Sequence, residues 1–250
     1  MAADGAHFAA VSQAVRELAI SRGLPPSQVH YMPIGVDTDF FRPGPLSMAE
    51  RPAKVLFVAS HLQRKGGHLL IQAMAEVRRK IPAAELVMVG DGPQRREWES
   101  LSRELGVGAM FPGRLAPEGV LRELHDTVVF CLPSIRPPYD DLAEGFGLVV
   151  AEAGASGVPV ITSAQGIRSE GVVHGRTGYA VQEGDVRAIA DGIVRLLSDR
   201  QLATRYGQAA RQFVRERFDL QACTSRLENL YDTMVHLGPF RQASVGHPAG

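Results

Sequence analysis

From Lys54 to Gln182 short apolar runs alternate with helical segments, and this alternation restricts the possible folds more than any other feature of the chain. Val55-Leu-Phe-Val-Ala-Ser, Glu85-Leu-Val-Met-Val-Gly, Ala109 to Pro112, Val128 to Pro133, Pro159 to Thr162 and Gly178 to Gln182 have the character of strands. Val55 to Ser60 is almost continuously apolar, as expected for a strand covered on both faces. Helices are expected over about Gly66–Lys80, Gln94–Leu105 and Glu118–His125, and after Gly147. Three more follow, at Val186–Ser198, Gln201–Arg217 and about Leu220–His236. Strands separated by helices of roughly 10 to 15 residues predict right-handed βαβ units. The fold class is therefore α/β, a parallel sheet with helices on both faces.

Composition narrows the class further. The chain has 250 residues, room for one large domain or two small ones, and its 45% hydrophobic content is that of a soluble globular protein. Its 27 basic and 27 acidic residues cancel, so whole-chain charge gives no case for nucleic acid or an anionic membrane as partner. The Arg-rich helices from Arg187 to Arg226 interleave acids, so a solvated face is expected there. Two cysteines, Cys131 and Cys223, are too few for a disulfide framework. No apolar run approaches the roughly 20 residues of a membrane span. The amino terminus lacks the basic start and apolar stretch of a signal peptide, so a cytoplasmic protein is expected.

The densest chemistry lies between Asp140 and Pro159. Two carboxylates, Glu144 and Glu152, are eight positions apart, and Gly145-Phe146-Gly147 between them opens an alanine-rich helix that begins with Leu148. A helix starting at glycines beyond the carboxyl end of a strand presents unpaired N–H groups and partial positive charge to an anion. Glu152 falls about two turns into the helix among Val149, Val150, Ala151 and Ala153, and a carboxylate in apolar surroundings needs a partner. The first strand runs into a second candidate loop, Ser60-His-Leu-Gln-Arg-Lys-Gly-Gly, at the sheet edge where ligands bind in open α/β folds. No His-x3-His or Cys-x2-Cys spacing suggests a metal, and Asp140-Asp141 is adjacent rather than alternating.

Glu144-Gly-Phe-Gly-Leu-Val-Val-Ala-Glu152 resembles the Glu-x7-Glu motif of the retaining, GT-B-fold glycosyltransferases of family 4, also called glycosyl transferases group 1. The resemblance covers residues 8 to 236 and is densest between 54 and 182. It implies a Rossmann-like donor-binding domain over 54–237, an interdomain linker over 37–53 and a remnant of the first, acceptor domain over 1–36, with a disordered tail at 238–250. The N-terminal domain would then be largely missing, and the final helix, which in the family packs on that domain, would leave its stripe of Leu220, Leu227, Leu230, Tyr231 and Met234 partly exposed or pack it on its own sheet.

The resemblance also implies roles. Lys65 and Glu144 would be the catalytic pair, Lys65 neutralising the donor diphosphate and Glu144 holding the donor sugar. Glu152 would take the ribose hydroxyls, and Gly66, Gly145, Phe146, Gly147 and Leu148 would line the phosphate and sugar. Arg114 and Leu115, after Gly113, would meet the base through their backbone. Two positions depart from the family pattern. His61 stands where an arginine is expected, with Arg64 as the substitute cation, and Ile167 stands where Gly166-Ile-Arg-Ser-Glu170 should carry a second glycine. Glu170 is expected to be structural. The implied partners are a nucleoside diphosphate sugar and an acceptor of unspecified kind (sugar, lipid-linked sugar or small molecule), in polysaccharide, glycolipid or envelope glycan synthesis. A second protein supplying the first domain is a further implied partner. No metal cofactor is expected, and the location is cytoplasmic or peripheral to the inner face of the membrane. The alternative, from a different class, is a nucleotide-sugar-binding module that does not catalyse alone.

Overall fold

The computed structural model describes residues 6–136, 147–163 and 170–236. The chain begins with a small strand–helix–strand unit: β1 (Phe8–Ala10), α1 (Gln13–Ser21), a 3-10 turn at Pro26–Gln28 and β2 (Val29–Tyr31). The two strands pair in parallel, Phe8 opposite Val29 and Ala10 opposite Tyr31. Phe8, Val11, Val15, Leu18 and Ala19 lie near helical spacing, which predicts one helix over residues 8–22, but the strand replaces its first turn. Ser12 explains the break, because its extended backbone lets the hydroxyl accept from the Val15 N–H at 3.1 Å and start the helix at Gln13.

The main body follows as β3 (Lys54–Val58), α2 (Gly67–Lys80), β4 (Glu85–Val89), α3 (Arg95–Glu104), β5 (Met110–Gly113) and α4 (Pro117–His125). It continues with β6 (Val129–Leu132), α5 (Leu148–Ala155), β7 (Val160–Ser163) and β8 (Gly178–Val181), then α6 (Val186–Ser198), α7 (Arg200–Arg217) and α8 (Leu220–His236). All six strands of this sheet are parallel, in the order β5-β4-β3-β6-β7-β8. Counted from β3, that is the doubly wound order 3-2-1-4-5-6, which reverses direction between β3 and β6. Successive crossovers run leftward from β3 and rightward from β6, so handedness places α2 and α5 on opposite faces. α2 packs against α3 and α6, and α5 against α7.

The sheet centre is dry. Val55, Leu56 and Phe57 of β3 and Cys131 of β6 are fully buried, as is Trp98 of α3. Lys54 at the start of β3 is only 5% exposed, and its ammonium reaches Glu123 at 2.6 Å and Asp126 at 2.5 Å at the end of α4. Both cysteines are free and buried. Among the described residues no helix is long and apolar enough to cross a membrane.

Two contacts fasten the amino-terminal unit to the body. The Glu170 carboxylate accepts from the Gln13 N–H at one oxygen and from the Tyr31 hydroxyl at 2.9 Å at the other. Burial, helped by that bond to Glu170, raises the Tyr31 phenol well above its ordinary pKa. Glu170 is thus structural in position, spanning 139 residues of sequence to Tyr31. Val36 forms the second fastening, donating to the Phe218 carbonyl at 2.7 Å and accepting from the Leu220 N–H at 2.9 Å. Cys223 of α8 is buried, whereas Leu220 and Tyr231 are exposed and Leu227 lies against Met32 to Gly35 beside a cleft of about 280 Å³. The final helix therefore lies along the amino-terminal segment.

Replacing Glu170 with Ala removes two hydrogen bonds to a charged group, each contributing about 1.5–3 kcal/mol. Amide hydrogen exchange in residues 8–31 should accelerate at least tenfold, while β3, β4 and β6 exchange at the wild-type rate. Unchanged exchange in β1 and β2 would show that Glu170 does not hold the unit.

Candidate active site

The reversal of strand order between β3 and β6 opens a crevice at their carboxyl ends, the place where open α/β sheets bind ligands. Beyond β3 the chain makes a 3-10 turn at Gln63–Lys65 and then a left-handed residue, Gly66, with φ 71° and ψ 19°. A β-carbon on Gly66 would lie 1.9 Å from the Pro133 carbonyl oxygen, just past the end of β6. Only glycine fits here, on both backbone conformation and space. The Ile135 N–H donates to the Arg64 carbonyl at 2.8 Å, so the loops leaving β3 and β6 are held edge to edge. Arg64 and Lys65, both partly exposed, ride on the first of these loops.

Gly147 opens α5 from a left-handed conformation, φ 73° and ψ 57°, and its carbonyl accepts from the Val150 N–H at 2.8 Å. Leu148 and Val149 are partly buried. Glu152 projects from the second turn, half-buried between the buried Ala151 and Ala153, and its carboxylate has no hydrogen-bond partner among the described residues. Burial alone pushes its pKa up from 4.5 to about 7. A carboxylate held in this way is an acceptor in search of donors.

His61 takes a different place from the one expected of it. The residue is fully buried, and its ring packs against Trp98, Phe111 and Phe57 with centroid separations of 5.0, 5.9 and 6.2 Å. Burial, and then the nearby Arg95, lower its pKa, so the ring is neutral near pH 7 and supplies no cation. Its backbone, however, builds the neighbouring turn. The His61 N–H donates to the Asp91 carbonyl at 2.9 Å, and its carbonyl accepts from the Gln94 N–H at 3.0 Å. Gly90 in that turn has φ 126°, meeting the expectation of a tight turn at Gly90-Asp-Gly-Pro. It donates to the Gly113 carbonyl at 2.8 Å, which fixes the segment leading to Arg114 and Leu115 at the end of β5. Arg114 is exposed, and Leu115 packs partly on the core.

Glu144, Gly145 and Phe146 lie outside the described residues, as do Gly166 to Ser169 with Ile167, the Asp140-Asp141 pair and the tail from 237 onward. Gly175-Arg-Thr-Gly forms the expected closing turn before β8, with the Thr177 hydroxyl accepting from the Val173 N–H at 2.7 Å. Two residues escaped the sequence argument. Ser134 and Ser163 stand at the carboxyl ends of β6 and β7 with buried hydroxyls that have no partner among the described residues. The signal available for both was position alone, a serine at the carboxyl end of a strand. Among the described residues no three His, Cys, Asp or Glu side chains gather as metal ligands.

A parallel sheet in the order 3-2-1-4-5-6 with helices on both faces defines the doubly wound, Rossmann-like class of α/β protein. The family model described as Glycosyl transferases group 1 matches residues 42–213. A GDP-mannose-dependent alpha-(1-6)-phosphatidylinositol monomannoside mannosyltransferase of Mycobacterium tuberculosis (strain ATCC 25618 / H37Rv) is 35% identical over 215 residues, covering 82% of this chain and 56% of the relative. Sucrose-phosphate synthase from Thermosynechococcus elongatus is 30% identical with a TM-score of 0.78, covering 92% of this chain and 58% of that one. Anabaena Alr3699/HepE, solved with UDP and glucose, shares the fold at a TM-score of 0.80 and 22% identity over 91% of this chain and 63% of its own. This chain belongs to the glycosyl transferases group 1 family, with the Rossmann-like sheet of a GT-B fold. It spans about half the length of the curated relatives it matches.

Two predictions follow from the geometry. Gly66→Ala forces an L-residue into the left-handed region, about 1–2 kcal/mol before the clash with Pro133 is counted, and thermal melting should show a drop of several degrees. For Glu152 the folded protein binds the proton more tightly than the unfolded chain. Its contribution to stability is thus full below about pH 4.5 and is lost as pH rises toward 7. Glu152→Gln should therefore melt progressively higher than wild type between pH 5 and pH 8. A constant difference across that range would contradict the desolvated carboxylate.

Proposed function

We propose that this chain is the donor-binding part of a glycosyltransferase that moves a sugar from a nucleoside diphosphate sugar to an acceptor with retention of configuration. The single observation behind this is that the Lys65 loop is held, at the switch point, against the loop leaving β6, in a chain whose next helix, α5, carries an unpartnered carboxylate.

In this proposal the diphosphate lies between the two loops that Gly66 and Pro133 hold together. Lys65 and Arg64 supply the positive charge, with Arg64 taking the role the neutral His61 ring cannot fill. The amides at the start of α5, beginning with Gly147, meet the phosphate oxygens, and the helix dipole favours the charge that develops as the diphosphate leaves. The role is electrostatic, so no step depends on a bound metal. Glu152 accepts the ribose hydroxyls, which solvate its carboxylate and lower its pKa again. Glu144 fixes the donor sugar by the same acceptor chemistry, and the buried Ser134 hydroxyl offers a further hydrogen bond at the end of β6. The acceptor attacks on the face the leaving group departs from, as retention requires.

A second reading, a module that binds donor without catalysing, draws on one observation: the neutral, buried His61 removes a cation from the loop. The polypeptide that supplies acceptor contacts would complete the site in either case.

Calorimetric titration with UDP, GDP and ADP tests binding, and a transfer assay with the matching sugar nucleotide separates the two readings. Lys65→Ala should weaken diphosphate binding at least tenfold through loss of a charge-assisted contact of roughly 1.5–3 kcal/mol. Glu152→Ala should weaken nucleotide more than inorganic diphosphate, because only the nucleotide carries ribose. Equal binding by wild type and both variants would overturn the assignment of the site.

A further inference from the structure

The opposite edge of the sheet holds an arrangement that neither the family assignment nor the donor site explains. Because every strand is parallel, residues preceding β3, β6 and β7 share the amino edge. Arg51 before β3, Thr127 before β6 and Gly157 before β7 meet there, where the linker crosses under α7. A cavity of about 350 Å³ lies between them, lined on the linker side by Leu46, Met48 and Arg51 and on the helix side by Thr204, Gln208 and Arg211. Its size suits a small metabolite.

Arg51 and Arg211 line this cavity and Arg200 lies near Arg51; none of the three has a carboxylate within ion-pair distance among the described residues. Arg51 is 6% exposed and bonds only to carbonyls, Thr127 at 2.7 Å and Leu46 at 3.4 Å. Arg211 bonds to the Ala155, Phe41 and Thr38 carbonyls at 2.5, 3.3 and 3.5 Å. Arg200, one turn before Thr204, carries a buried Nη1 with no partner among the described residues. Burial lowers the proton affinity of all three, and Arg200 adds direct repulsion to Arg51. The nearby acids form no ion pair with them: exposed Asp39 attracts Arg211, and Asp126 attracts Arg51, only from a distance. Asp126 is held by Lys54 at 2.5 Å, and Asp199 accepts from the Leu202 N–H at 2.8 Å as the cap of α7.

Desolvated guanidiniums, two of them repelling one another and one carrying an unsatisfied donor, are costly unless an anion joins them. Arg200 and Arg211 thus depart from the solvated face expected of this arginine-rich helix. The helix is brought in close by Gly207, where a β-carbon would lie 2.1 Å from the Gly157 carbonyl oxygen, so these side chains are pressed into the linker rather than into water.

We propose that the cavity lined by Arg51 and Arg211, with the unpartnered Arg200 beside Arg51, is a second, non-catalytic binding site for the phosphate group of a small phosphomonoester. The guanidiniums take the phosphate oxygens in fork geometry, Thr204 and Gln208 add neutral hydrogen bonds, and the body of the ligand lies on Leu46 and Met48. A dianionic phosphate matches several converging guanidiniums better than a single carboxylate does. The site shares no residue with the donor crevice, so it stands or falls independently of the proposed transfer activity.

The test is calorimetry and thermal melting of the 250-residue chain with inorganic phosphate and with glycerol 1-phosphate, at ionic strength fixed with chloride. Wild type and Lys65→Ala should both bind and melt higher with either probe. Arg200→Gln should weaken binding at least tenfold. Without ligand, this variant should melt no lower than wild type, because it sheds a buried charge that has no protein partner. The proposal is overturned if wild type binds neither probe, or if Lys65→Ala abolishes binding while Arg200→Gln retains it. It also fails if Arg200→Gln melts several degrees lower without ligand, the signature of a structural arginine.

Discussion

A glycine pressed against a carbonyl oxygen governs the geometry of this molecule. Where Gly66 meets Pro133, the loop after the first strand of the sheet and the loop after the fourth approach more closely than any side chain would permit. The sheet topology determines that these two loops are neighbours, because the strand order reverses between β3 and β6. The missing β-carbon determines how near they come. The loop that carries Arg64 and Lys65 is thereby held against the end of β6, and the hydrogen bond from Ile135 to Arg64 keeps the two loops in register.

Along α5 stability and function pull in opposite directions. Glu152 sits in a stretch of helix otherwise made of small apolar residues, where an ionised carboxylate is poorly solvated. Folding keeps it there because the surrounding sheet and helices supply ample apolar burial, and one unsatisfied acceptor is tolerated within a large core. Buried, unpartnered polar atoms recur at Ser134 and Ser163 along the same edge. Among the described residues, the carboxyl edge of this sheet thus carries buried polar groups without partners.

Much of this was legible in the sequence, for a physical reason. A strand buried on both faces must be continuously apolar, and a helix between two such strands must start at a residue that permits the turn. Val55–Val58, Val129–Leu132 and Gly147 therefore announced themselves. The strand Phe8–Ala10 did not, since three residues are too few to display a period and Phe8 also suits the helical spacing that follows. His61 was misplaced because a histidine after a strand looks the same in sequence whether its ring faces a cleft or the core. What decides is the pocket formed by Phe57, Trp98 and Phe111, which comes together only in three dimensions. The arginine cavity was invisible for the same reason. Arg51 and Arg200 are far apart in the chain, and their shared lack of an acid is a property of packing rather than of order.

Val36 has one further implication. Its backbone is clasped between Phe218 and Leu220, so the segments on either side of the sheet domain depart through a common root. Residues 6–35 and the last helix lead away from the same two hydrogen bonds and line one cleft, while Glu170 holds the amino-terminal unit a second time. A push on the strand–helix–strand unit is therefore passed to the far end of the chain without travelling through the core.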